Sequence, residues 1–235
     1  MNAPAVLRPD PWTGPPSRPA APGPVPRLWL VGAAAFPAHG PTVLDAAERR
    51  RADAFRRPAD RAVYVAAHQA LRQVLGAHLD TDPAAVEMTR LPCPGCGAPH
   101  GRPAVAGPAG DRLHFSLSHT HGLALIAVAD APVGADIEQL PDPELIEDVA
   151  AVLHPTEREE LARAGAGSRP AAFARCWTRK EAYVKTTGEG LSGPSVAGVY
   201  LGCGPHPAAP PGWTVADVEV PAGYAAACAV GPVDA

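Results

Sequence analysis

The stretch Trp177-Thr178-Arg179-Lys180-Glu181-Ala182-Tyr183-Val184-Lys185 reads as a helix. Trp177, Glu181 and Lys185, spaced i, i+4 and i+8, share one face of it. Lys180 and Lys185 are the only lysines in the chain, and every other basic residue is arginine. A sequence that uses lysine only here needs a compact ammonium at these positions, because a guanidinium is a broad planar fork. Taken alone, the helix leaves a second reading equally open. Glu181 and Lys185 then form an ordinary surface pair worth about 0.3–0.5 kcal/mol.

Composition sets the bounds around this helix. The 235 residues are 46% apolar, but only 5% are aromatic and 30 are proline. Much of the apolar content is alanine, so helices are favoured and the core rests on few large side chains. The net charge of −4 gives no global basic field for nucleic acid. Five cysteines, an odd number, give no disulfide framework and point to a reduced compartment. Residues 1–26 hold nine prolines and no basic-then-apolar signal pattern, and read as a disordered tail. No apolar run approaches the roughly 20 residues of a membrane span. These features predict a soluble cytoplasmic protein.

Beyond the tail, Leu28–Val31 reads as a buried strand. Leu44–Phe55 reads as a helix with Asp45 as N-cap and Glu48 at capping-box spacing. Pro58 ends it, and Asp60–Leu79 forms a long helix. Leu113–Ser118 alternates as a strand, and Leu123–Ala129 returns beside it. Val133–Glu138 is the next strand, and Trp213–Val220 and Tyr224–Val230 close the chain.

These elements repeat. Leu44 lies 27 residues before Leu71, and Leu153 lies 27 before Lys180. Glu48 and Glu157 each follow the leading leucine by four. A period of about 110 residues is too long for a solenoid. It predicts an α+β fold, a pseudo-dimer of two similar α/β subdomains over 27–130 and 133–232. Asp130-Ala131-Pro132 is the joint, and the active site lies between the halves.

Asp136 and Glu138, two apart on a strand, point to the same side. Two adjacent carboxylates force one to hold a proton unless a cation sits between them. Oxygen-only ligands suit Mg²⁺, although a solvated strand end bearing two acids would look the same. Cys93-x-x-Cys96 with His100 has the spacing of half a zinc site. No second Cys-x-x-Cys completes it, so the pair reads as reduced thiols that shape a loop. The arginines from Arg49 to Arg61 read as an exposed helix face or as a phosphate-attracting patch.

The order Gly134-x-Asp136-Ile137-Glu138 followed by Trp177-x-x-Lys180-Glu181-Ala182-x-x-Lys185 resembles the signature of the surfactin-synthetase-type 4′-phosphopantetheinyl transferases, in the subgroup written W/KEA. Phe115-Ser116-Leu117-Ser118-His119 resembles that family's Phe-Asn-Leu-Ser-His strand, with Ser116 in place of Asn. Gly101-Arg102-Pro103 and Gly188-Glu189-Gly190-Leu191 resemble two of its turns. Relatives often carry Cys-x-x-Cys-Gly before the first of these. The family fold is itself a pseudo-dimer of two α+β halves, and the resemblance covers most of residues 28 to 230.

The resemblance implies transfer of the 4′-phosphopantetheine arm of coenzyme A to a serine of apo acyl or peptidyl carrier proteins, releasing 3′,5′-ADP. Asp136, Glu138 and Glu181 are the implied Mg²⁺ ligands, with Glu181 first and Glu138 second as the base. Lys185, with Lys180 adding to its field, is the implied pyrophosphate ligand. Arg102, Ser118 and His119 are the implied contacts of the 3′-phosphate and adenine, and Arg57 or Arg61 of a further CoA phosphate. Expected clients are polyketide and nonribosomal peptide synthetases of secondary metabolism, and the expected state is a monomer. A transferase devoted to one fatty-acid carrier and a non-catalytic module binding a nucleotide or partner through Arg49–Arg61 are the alternatives.

Overall fold

Residues 6–17, 23, 25–36, 42–191 and 193–232 are described by the computed structural model. The chain runs β1 (Val6–Leu7), β2 (Asp10–Pro11), β3 (Arg27–Gly32), α1 (Ala46–Asp53), α2 (Pro58–Leu79), β4 (Met88–Arg90), β5 (Pro103–Val105), β6 (His114–Thr120) and β7 (Leu123–Ala129). It continues through β8 (Val133–Gln139), α3 (Pro143–Ala150), α4 (Pro155–Arg163), α5 (Arg169–Thr187), α6 (Ser195–Gly198), β9 (Thr214–Val218) and β10 (Tyr224–Val230). No helix among the described residues is long and apolar enough to cross a membrane.

Two four-stranded sheets, β2-β3-β7-β6 and β1-β9-β10-β8, share the connectivity of three strands each, β3-β7-β6 and β8-β10-β9, and differ in which edge takes the added strand. In each, the strand before the helices pairs antiparallel with the last strand, and the last pairs with its hairpin neighbour. The long helix α2 lays Ala67, Leu71 and Val74 against Trp29, Phe115 and Ile126. A second core joins the sheets, where Leu125 and Ala127 meet Ala135 and Ile137. There β6 lies against β8, and the Ala135 N–H donates to Ser116 Oγ at 2.9 Å. The Ser at this strand position thus satisfies a backbone donor of the other sheet.

Helix α5 packs on β8 and β10 at close range. A Cβ on Gly134 would lie 2.0 Å from the Ala182 carbonyl oxygen, so only glycine admits the helix here. Pro58 does not merely end the preceding helix. It opens α2 from its first turn, where a missing N–H costs nothing.

The short helices α1 and α4 are built alike. Asp45 and Glu48 form the expected capping box on α1. His154 and Glu157 form one on α4. Each glutamate also reaches a buried cation on the following long helix. Arg72 Nε donates to Glu48 Oε2 at 2.6 Å, and Lys180 Nζ lies 2.8 Å from Glu157 Oε2. Glu157 Oε1 further accepts the Leu201 and Gly202 N–H groups at 2.7 and 3.2 Å.

The expectation of a disordered tail through residue 26 fails for its first described part. Val6–Leu7 pairs parallel with β9, and Asp10–Pro11 pairs parallel with β3. Prolines are tolerated there because both additions are sheet edges. Residues 1–5, 18–22 and 24 lie outside the described residues.

Glu157→Ala leaves Lys180 buried without its carboxylate and two N–H groups without an acceptor. Urea unfolding is expected to show a loss of about 3–5 kcal/mol, and Lys180→Met in the same background to recover part of it. Unchanged stability of the single variant would contradict the pairing.

Candidate active site

A cleft of about 810 Å³ opens where α2, β6, β8 and α5 come together. Its polar floor is Ser118 and His119 from β6, Asp136 and Glu138 from β8, and Glu181 and Lys185 from α5. Leu71, Met88, Pro99, Pro103, Phe115 and Leu117 line its apolar walls. A second cavity of about 340 Å³ shares Arg90, Pro103, Phe115, Glu181 and Lys185 with it and adds Arg102 and His100.

The floor follows from two periodicities. Strand alternation puts Asp136 and Glu138 on one side of β8, and helical spacing puts Glu181 and Lys185 on one side of α5. Gly134 brings those two sides together. Lys185 Nζ lies 2.5 Å from Asp136 Oδ1, 3.1 Å from Ser118 Oγ and 3.7 Å from Glu181 Oε2. Ser118 Oγ donates to the same Asp136 oxygen at 2.7 Å. Asp136 is only 1% exposed at its side chain, and its Oδ2 is buried without a partner.

Glu138, Glu181 and Lys185 are each shifted from their ordinary pKa. Burial, then the Asp136 charge, pushes Glu138 up to about 7. The same two causes raise Glu181. Burial works against the Lys185 ammonium, but Asp136 and Glu181 outweigh it and raise its pKa.

His119, also lining the cleft, is edge-on to Tyr64 at 6.0 Å between ring centres. Burial, then the neighbouring His68 and Lys185, lowers its pKa and favours the neutral ring. His68 Nδ1 is 3.0 Å from Glu48 Oε1. The cleft residues His68 and Arg90 escaped the sequence reading. His68 sits three residues before Leu71 on α2, so helical spacing carried a signal for it. Arg90, on a three-residue strand, had none.

Four expected site residues stand outside the large cleft. Lys180 is fully buried in the second half, held by Glu157 and the Val199 carbonyl, and does not reach the cleft. Arg57 and Arg61 are exposed and line neither cavity, and Arg61 instead meets Asp53 at 3.2 Å. Arg102 lines the smaller cavity and not the larger one. Trp177 stacks on Phe173 beside an apolar recess, away from the cleft floor.

Residues 132–207 match the family model of the 4′-phosphopantetheinyl transferase superfamily. A Synechocystis protein named as a 4′-phosphopantetheinyl transferase is 27% identical over 178 residues, covering 72% of this chain and 68% of its own. The 4′-phosphopantetheinyl transferase HetI of Nostoc is 33% identical over 156 residues, covering 63% of this chain and 61% of its own. A Bacillus subtilis 4′-phosphopantetheinyl transferase is 33% identical over 95 residues, covering 40% of this chain and 41% of its own. The second half therefore carries the superfamily's domain. The chain is an enzyme of the 4′-phosphopantetheinyl transferase class.

The raised Glu138 gives a pH signature. Its neutral form is favoured by the fold, so its stabilising contribution is full below the ordinary carboxylate pKa and is lost as pH rises through about 7. In chelator-treated protein the melting temperature is expected to fall over that window, and Glu138→Gln to flatten the fall. Superimposable wild-type and variant profiles would refute the assignment.

Proposed function

We propose that the chain moves the 4′-phosphopantetheine arm of coenzyme A onto a serine of apo acyl or peptidyl carrier proteins, releasing 3′,5′-ADP. The observation that carries this reading is the meeting of Asp136, Glu138, Glu181 and Lys185 at the floor of one cleft. Such a floor has the anionic ligands for a divalent metal and a cation for phosphate side by side.

Mg²⁺ fits these residues. The donors are all carboxylate oxygens, Asp136 Oδ2 is buried without a partner, and Glu138 is pushed up by burial and then by the Asp136 charge. Asp136, Glu138 and Glu181 would hold the ion, which supplies neutralisation of pyrophosphate charge when bound. Lys185 takes a pyrophosphate oxygen as a point charge. Ser118 orients Asp136 through the 2.7 Å bond. His119, in the cleft, and Arg102, in the adjoining cavity, face the 3′-phosphate and adenine. Glu181 receives the serine proton, directly or through water, with Glu138 the alternative base.

The shared sheet connectivity supports the finer reading of two related halves, 27–130 and 133–232, about a pseudo-twofold axis. A monomer follows, because the second half takes the place of a partner. Five free cysteines accord with a cytoplasmic enzyme. Polyketide and nonribosomal peptide synthetases are the proposed clients, on the likeness of the motif to the W/KEA subgroup.

Incubation with coenzyme A, Mg²⁺ and several apo carrier proteins is expected to add one phosphopantetheine per carrier by intact mass. No transfer to any of them sinks the proposal. Asp136→Ala is expected to abolish transfer with the circular dichroism spectrum unchanged. Glu181→Gln should slow it by about 10²–10⁴-fold, and a larger loss in Glu138→Gln than in Glu181→Gln would reassign the base.

A further inference from the structure

The loop between β4 and β5 carries a group of residues that phosphopantetheine transfer does not use. Cys93, Cys96 and His100 place one ligand atom each within 4.8 Å of one another. Cys96 Sγ is 3.1 Å from His100 Nε2. We propose that these three residues bind Zn²⁺ and that the ion clamps the loop forming one wall of the cleft. This reverses the sequence reading of the thiols as mere loop formers.

Two sulfurs and an imidazole are the donor set zinc prefers, at distances from one another that a single tetrahedral ion spans. The backbone presets the arrangement. Gly97, at φ +74°, turns the chain so that its N–H donates to the Cys93 carbonyl at 2.7 Å. The Cys93 N–H in turn donates to the Ala98 carbonyl at 2.7 Å. This closes the turn that brings His100 back over Cys96. Cys93 is buried while Cys96 and His100 are exposed, so an ion has an inner anchor and an entry path. Water completes the fourth position. Glu189, two residues beyond α5, has a buried oxygen without a partner.

The foot of the loop is already tied, with Leu91 N–H donating to the Arg102 carbonyl at 3.0 Å and Gly101 N–H to the Leu91 carbonyl at 2.9 Å. Zinc would fix the tip, and with it Pro99 at the large cavity and His100 at the small one.

The test is elemental analysis of full-length protein grown with zinc and purified under reducing conditions without chelator. About one zinc per chain is expected, with near-complete loss in Cys96→Ser and in His100→Ala, two exposed positions whose variants should keep the wild-type circular dichroism. Cobalt loading should give a thiolate-to-metal charge-transfer absorption that Cys96→Ser removes. Metal-free wild-type protein without that absorption, an undiminished zinc content in both variants, or a Cys93–Cys96 disulfide in the purified protein would each overturn the proposal.

Discussion

The Lys185 ammonium, 2.5 Å from Asp136 and 3.7 Å from Glu181, is the charge on which the meeting of β6, β8 and α5 depends. Without a cation, Asp136, Glu138 and Glu181 would repel one another in a partly buried space, where Coulomb terms are several-fold larger than in water. With it, Asp136 of β8, Glu181 of α5 and Ser118 of β6 converge on one atom. The closeness of that convergence rests on Gly134, whose missing Cβ lets α5 settle onto β8. A backbone detail of one glycine thus sets the spacing of an electrostatic cluster two and four residues further along the strand.

The paired devices on α1 and α4 show how such a charged floor is kept in place. On α1 and on α4 a capping-box glutamate caps the start of a short helix and also neutralises a cation buried in the long one that follows. Such ion pairs add little net stability compared with apolar packing, but they allow one geometry only. The long helices α2 and α5, which wall the cleft, are each pinned in this way.

The site was legible where the signal is local. Two-residue alternation on β8 and four-residue spacing on α5 placed Asp136, Glu138, Glu181 and Lys185 correctly relative to their own elements. Lys180 was misjudged because spacing along a helix does not say which way an adjacent residue turns. Lys180 and Glu181 are about 100° apart around the axis, and the 0% exposure of Lys180 is decided by Glu157, 23 positions earlier. Arg57 and Arg61 show the same limit for a charge run, which has no direction of its own. The two-residue edge strands of the amino-terminal segment were invisible, since two residues carry no period and their prolines argue for a loop. Of the fold, the order of strands and helices could be read, and the shared connectivity of the sheets was anticipated by the matching positions of Glu48 and Glu157.

Residues 6–12 add an edge strand to the sheet of the second half and then to the sheet of the first. One short run of chain is therefore stitched to both sides of the molecule at once. Opening the cleft by swinging the halves apart would have to peel one of these strands from its sheet. The width of the cleft is held by a tether outside it, so its mouth keeps a nearly fixed span.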